Sequence, residues 1–313
     1  MYRSILVPLD GSSFAEQALP LAAAIARKSK ARLLLVTVCA PLAEAYVEGM
    51  YFSTAELEDD LAARYGSYLR AAADDLRLKA DVPVETAVLR GEVAATLCEH
   101  VGGGNADLVV MATHGRGPLG RFWLGSVADE MLRLSPVPLL LVRPEEKPAS
   151  PGEPGFGRVV VPLDGTPEAE GIIEPAVDLA ALSPEAEIVL MRAIHTVVPA
   201  PTPPDTDQAA KEASALLGQL LTAQERLRGE AEKYLDGVAG RLRARGLRVR
   251  TEVIAEDSPV TAILDEAAKE HASLIALYTH ARRGLSRLLL GSVADKVIRG
   301  AHVPVLVQRP RHG

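Results

Sequence analysis

The chain has 313 residues, 48% hydrophobic and 24% charged, a length that accommodates two domains of average size, each with its own core. Its 34 Lys+Arg against 41 Asp+Glu leave a formal net charge of -7, which argues against nucleic acid or an anionic membrane as partner, because both call for broad positive surface. Cys39 and Cys98 sit in apolar runs with no partner at metal-ligand or CxxC spacing and read as buried reduced thiols; with a start too short in apolar residues for a signal peptide and no apolar run of about 18 residues, the expectation is a cytoplasmic protein.

From the N-terminus, SILVP (4 to 8) predicts a first strand and LDGSS a turn into a helix over 13 to 29. RLLLVTV (32 to 38) is a second strand. A helix over 54 to 79 follows, with Ser53 and Glu56 spaced as a capping box. VETAVL (84 to 89), a helix over 92 to 101, DLVVMA (107 to 112), a helix over 126 to 134 and PLLLV (138 to 142) complete the first half. Several of these strands are continuously apolar, as in a parallel sheet covered on both faces. Strand and helix in alternation predict a doubly wound α/β domain, whose ligands lie beyond the carboxyl ends of the strands where strand order reverses.

The chain then says this again. ILVPLDGS (5 to 12) returns as VVVPLDGT (159 to 166), and THGRGPLGRFWLGSVADEM (113 to 131) returns as THARRGLSRLLLGSVADKV (279 to 297), with 11 of 19 positions identical. The first offset is 154 and the second 166, so the second copy carries 12 additional residues, mostly in the proline-rich HTVVPAPTPPDTD from His195. RPEEKPASPGEPGFGR (143 to 158) has linker composition, and the division is placed near residue 150: a first domain over 1–145, a linker over 146–157 and a second domain over 158–313. The stretch 209 to 246 reads as a sheet-covering helix with a lengthened start, or as one whose extra turns meet a partner.

The first repeated loop gathers glycine and arginine ahead of a helix start. From Ala112 it reads A-x2-G-x9-G-S, with Gly115, Gly125 and Ser126. Glycines let backbone N–H groups approach a ligand, and a helix N-terminus adds unpaired donors and partial positive charge, so a phosphate group is the natural guest. Arg116 and Arg121 are candidate additional charges. The simpler alternative makes Ser126 with Asp129, and Ser292 with Asp295, ordinary capping pairs. Neither GxxxxGK[ST] nor a GxGxxG after the first strand occurs, so the grip would be mostly backbone.

A VPLDGS strand end, a THG loop, GSVAD nine residues on and a closing VPLLLV strand together resemble the universal stress protein family, in a tandem form covering nearly the whole chain. The resemblance implies two five-stranded, mostly parallel, Rossmann-like domains of the adenine-nucleotide alpha-hydrolase-like type. It also implies pairing through the fifth strands as an internal pseudo-dimer. One branch of the family binds ATP through G-x2-G-x9-G-[S/T], usually with Mg²⁺ or Mn²⁺.

Carried over by position, Gly115, Gly125, Ser126 and Val127 match the phosphate-binding segment, with Ala112 in place of the first glycine. Asp10, Pro8 and Leu9 match the nucleotide-contacting strand end, Val38 the position against adenine, and Met111 lies beside the phosphates. Asp10 has a second reading as a cap for the helix that follows it. His114 and His280 either touch phosphate or hydrogen-bond their own loops, and Arg116 flanks the site. In the second copy Tyr278 and Ala281 replace both early glycines, leaving Asp164, Gly291, Ser292 and Val293, with Ala193 near the adenine position. No catalytic triad, carboxylate pair or metal-ligand cluster can be assembled. The resulting expectation is ATP binding as a sensor or regulatory ligand, mainly in the first domain, with at most slow hydrolysis, a homodimer or internal pseudo-dimer, and a protein partner unknown. The alternatives are a nucleotide-free interaction scaffold, and a nucleotidyl-transfer enzyme, which lacks its HIGH or SGGxDS signatures here.

Overall fold

A computed structural model of the chain describes residues 1–41, 45–47, 50–52, 55–113, 124–144, 155–196, 207–279 and 291–310. The first half runs β1 (Ser4–Pro8), α1 (Ser13–Glu16), α2 (Leu19–Ser29), β2 (Arg32–Cys39), β3 (Ala45–Val47), β4 (Met50–Phe52), α3 (Ala55–Ala80), β5 (Val84–Arg90), α4 (Val93–His100), β6 (Leu108–Ala112), α5 (Ser126–Leu134) and β7 (Leu139–Val142). The second runs β8 (Arg158–Pro162), a 3-10 turn (Ala169–Ile172), α6 (Ile173–Ala180), β9 (Glu187–Ile194), α7 (Asp207–Arg243), β10 (Arg248–Ala255), α8 (Pro259–Lys269), β11 (Leu274–Tyr278), α9 (Ser292–Gly300) and β12 (Val305–Gln308).

The ten long strands form one sheet in the order β10-β9-β8-β11-β12-β7-β6-β1-β2-β5. Within each half all neighbours are parallel, and strand order reverses beside β1 and beside β8, the switch points of a doubly wound sheet. The halves join where β7 and β12 pair antiparallel, Leu140 opposite Leu306. Each fifth strand is thereby the other's neighbour, which removes two apolar sheet edges at once. The α/β tandem is as the repeat implied, and its pseudo-dimeric join is as the family resemblance implied.

Strand side chains alternate between two cores. Ile5, Val7, Leu33, Leu35 and Leu306 face α2, α3, α6 and α7, while Leu6, Leu34, Val36, Val305 and Val307 face α4, α5, α8 and α9. Both cores cross the β7–β12 join without interruption.

Local chemistry explains most element ends. Lys30 closes α2 in a left-handed conformation (φ 58°), donating its N–H to the Ala26 carbonyl, and Glu92 caps α4 by accepting from the Ala95 N–H. The single helix expected over 13 to 29 is two, because Pro20, in the first turn of α2, has no N–H to donate back. Ser53, half of the expected capping box, lies outside the described residues. The β3–β4 hairpin adds to the elements expected from the sequence. Cys39 is buried as expected, whereas Cys98 is half-buried, its thiol raised to about 11 by burial, with its Sγ 3.4 Å from Met131 Sδ.

Helix α7 buries Ala231, Leu235, Val238, Ala239 and Leu242 against the sheet, whereas 213–230 is exposed or half-buried throughout. The covering role belongs to its last turns. Among the described residues no helix is long and apolar enough to cross a membrane.

Candidate nucleotide site

Two cavities open at the carboxyl ends of the strands, one at each switch point. The first, about 410 Å³, is walled by Pro8, Leu9 and Asp10 from the end of β1, by Val38 from β2, by Met111 and Ala112 from β6, and by Gly125, Ser126 and Val127 from the start of α5. Nine candidate residues from four separate elements thus share one space. His114, Gly115, Arg116 and Arg121 lie outside the described residues, as do His280, Ala281, Arg282, Arg283 and Arg287 in the second loop.

The end of β1 is pinned by its neighbour. Leu9 N–H donates to the Val36 carbonyl at 2.8 Å, and the buried Thr37 hydroxyl donates to the Leu9 carbonyl at 2.8 Å. Gly11 then takes φ 79°, a conformation that favours glycine, and the chain turns back. Asp10 Oδ1 accepts from the Ser12 N–H at 2.9 Å and from its hydroxyl at 2.6 Å, while Ser12 Oγ accepts from the Ala15 N–H at 3.2 Å. Ser12 is therefore the cap of α1, and Asp10 orients it instead of capping directly, holding its carboxylate at the cavity wall. Asp164, Thr166 and Ala169 repeat the arrangement in the second half, with Gly165 at φ 91°.

The two ends of the glycine-arginine loop meet at Thr113, whose N–H donates to the Val142 carbonyl and whose carbonyl accepts from the Gly125 N–H at 2.8 Å. This bond sets the start of α5 on the end of β6, directing its first N–H groups toward the switch point. The capping-pair reading of GSVAD is corrected here. Gly125 is the N-cap, with no side-chain cap bond, and Ser126 is already helical; Asp129 pairs instead with Arg133 at 2.6 Å. In α9, Gly291 is likewise the cap and Asp295 pairs with Arg299. Gly125 has φ −62°, accessible to any residue, so its backbone conformation does not demand glycine.

Other wall residues carry no motif: Thr37, Tyr65 from α3, Val93 and Leu97 from α4. With Val38 they make much of the wall apolar, while Gly125, Ser126 and Val127 at the start of α5 offer backbone donors. A cavity of this size and polarity fits a nucleotide. Asp10, the one carboxylate among the described residues of its wall, fits a Mg²⁺ ion held mostly by phosphate oxygens and water, and among the described residues no group of three or more His, Cys, Asp or Glu is arranged to hold a metal by itself.

The second cavity, about 350 Å³, gathers Asp164, Gly291, Ser292 and Val293 with Ala193 and Tyr278. Burial, and next the nearby Glu168 carboxylate, raise the Tyr278 phenol above its ordinary range. Arg192, at the position Thr37 holds in the first half, is not in the wall. Its guanidinium lies over Gly165, where an added Cβ would come within 2.7 Å of Nη1, and its Cζ is 5.7 Å from the centre of the Tyr234 ring.

Fold and sites together define a tandem α/β protein with a switch-point cavity in each half. The sequence profile of the universal stress protein family matches residues 1–143 and 155–309, and the chain belongs to that family. It is similar to a universal stress protein of Mycolicibacterium smegmatis, 29% identical over 309 residues that cover 98% of this chain and 97% of that one. A Thermus aquaticus universal stress protein is 34% identical over 144 residues, 46% of this chain and all of its own. The crystal structure of a universal stress protein from Archaeoglobus fulgidus shares the fold, with a TM-score of 0.70 at 20% identity over 99% of this chain and 98% of that one.

Proposed function

We propose that this universal stress protein binds ATP, with Mg²⁺, in its first cavity as a sensor or regulatory ligand. The observation that supports this reading is the convergence of Asp10, Val38, Met111, Ala112 and the Gly125–Val127 helix start on one cavity of about 410 Å³ at a switch point. In that pose the adenine lies against Val38 and the phosphates face the α5 N-terminus and Gly115. His114 and Arg116 flank the phosphates. Asp164, Gly291, Ser292 and Val293 take the corresponding places in the second cavity, where nucleotide is the lesser occupant. Turnover in this reading is at most slow hydrolysis, without a dedicated base. Occupancy then changes the surface offered to a protein partner in the cytoplasm, with 1–145 and 158–313 as the domains around linker 146–157.

The test is nucleotide content. Protein purified without added nucleotide and then denatured should release close to one equivalent of adenine nucleotide per chain, and calorimetry with Mg-ATP on the stripped protein should recover that stoichiometry. Neither nucleotide nor heat would leave the second reading, a nucleotide-free scaffold, which the replacement of motif glycines by Ala112, Tyr278 and Ala281 favours.

A further inference from the structure

The helices α3 and α7 superimpose in sequence at the offset of 166 that relates the GSVAD segments. Leu69 and Leu235 are both fully buried, as are Ala73 and Ala239. At the same offset Tyr65 corresponds to Ala231, and Ala112 to Tyr278. Among the described residues each of the two cavities therefore has one tyrosine in its wall, but from opposite sources: Tyr65 from the helix in the first, Tyr278 from the strand end in the second.

The exchange has a compensating partner. Tyr278 projects across to the 3-10 turn, where a Cβ added to Gly171 would lie 2.7 Å from its Cε2. At the offset of 154 that relates the VPLDG strand ends, Gly171 corresponds to Gln17. Gln17 with Ala112 in one half thus becomes Gly171 with Tyr278 in the other, so the turn makes room for the ring. In the first cavity Ala112 shares the wall with the Gly125–Ser126 donors; in the second, Tyr278 shares it with Gly291 and Ser292.

Resting on the ATP reading above, we infer that the tyrosine exchange makes the two cavities selective for different ligands. Tyr65 gives the first a flat wall for a purine ring, while Ala112 leaves the way to the α5 N-terminus open for a triphosphate. Tyr278 closes that way in the second, which takes a planar ligand without a polyphosphate chain, of nucleoside or nucleobase type. Aromatic faces hold such rings with little demand on their edges.

The experiment is binding stoichiometry on the stripped full-length chain, by calorimetry or equilibrium dialysis, with Mg-ATP and with adenosine as probes. Wild type should bind one equivalent of ATP but two of adenosine, and Tyr278→Ala should raise ATP to two. Should that variant prove unstable, Gly171→Gln with Tyr278→Ala rebuilds the pair of the first half and answers the same question. Tyr65→Ala should weaken both probes at the first cavity about ten-fold, with Tyr65→Phe close to wild type. Two ATP equivalents in wild type, one equivalent of adenosine, ATP unchanged at one after the Tyr278 replacements, or ATP affinity unchanged in Tyr65→Ala would each overturn the inference while leaving the ATP reading standing. No ATP bound by wild type or any variant overturns both.

Discussion

At the residue scale, glycine serves two separable purposes in this chain. Gly165 has φ 91°, and a Cβ there would also meet the Arg192 guanidinium, whereas Gly104 has φ 81° with nothing within 4 Å. Gly104→Ala should cost about 1 kcal/mol of stability from backbone strain alone, and Gly165→Ala measurably more; urea midpoints of the two variants separate strain from clash. Gly125 is different, since its φ is ordinary. Gly125→Val should cost only about 1 kcal/mol as a poorer N-cap yet remove most of the ATP retained on purification. Loss of fold in that variant would contradict the assignment of Gly125 to ligand approach.

At the element scale, the clearest electrostatic feature lies away from the cavities. Glu270, closing α8, is only 6% exposed and accepts from Arg250; Arg158 Nη1 lies 3.3 Å from its carboxylate and also donates to its backbone carbonyl at 2.6 Å. The Arg250 hydrogen bond, outweighing the opposing effect of burial, and the charges of Arg250, Arg158 and Lys269 hold the Glu270 carboxyl below its usual range. A lowered carboxylate contributes stability that is present above the unfolded value, near pH 4, and is lost as pH falls through the folded one. Glu270→Gln should therefore lower the denaturant midpoint at pH 7 and make its further fall in acid shallower than in wild type. Parallel curves would show that Glu270 is not a source of the acid sensitivity.

The long strands were legible because parallel strands buried on both faces need continuous apolar runs, and RLLLVTV or DLVVMA can be little else. The cavity was legible where residues sit on repeated strand ends and helix starts: Asp10 and Gly125 recur with their neighbours as Asp164 and Gly291. Thr37, Val93 and Leu97 were not, since each differs between the copies and belongs to no turn or cap. Tyr65 was within reach, as self-comparison of the helices pairs it with Ala231. Nothing local marks the Glu270 cluster, whose arginine Arg158 is 112 residues away in sequence. The β3–β4 strands are three residues each, too short to establish a period.

At the scale of the whole molecule, a ten-stranded sheet with two cores running across its middle should unfold as one unit. Calorimetry should show a single transition, and Leu140→Asp, placing a charge opposite Leu306 in the fully buried join, should destabilise both halves together by at least about 3 kcal/mol. Two separated transitions in the wild type would mean that the halves fold independently.

The antiparallel pairing of β7 with β12 also sets where the two cavities point. Strands that run in opposite senses on either side of a seam carry their carboxyl ends to opposite borders of the sheet, so the two openings face away from each other. Because both belong to one polypeptide, dilution cannot separate them, as it would dissociate a pair of independent subunits. Every molecule presents two outward-looking cavities back to back, in a ratio that abundance does not alter.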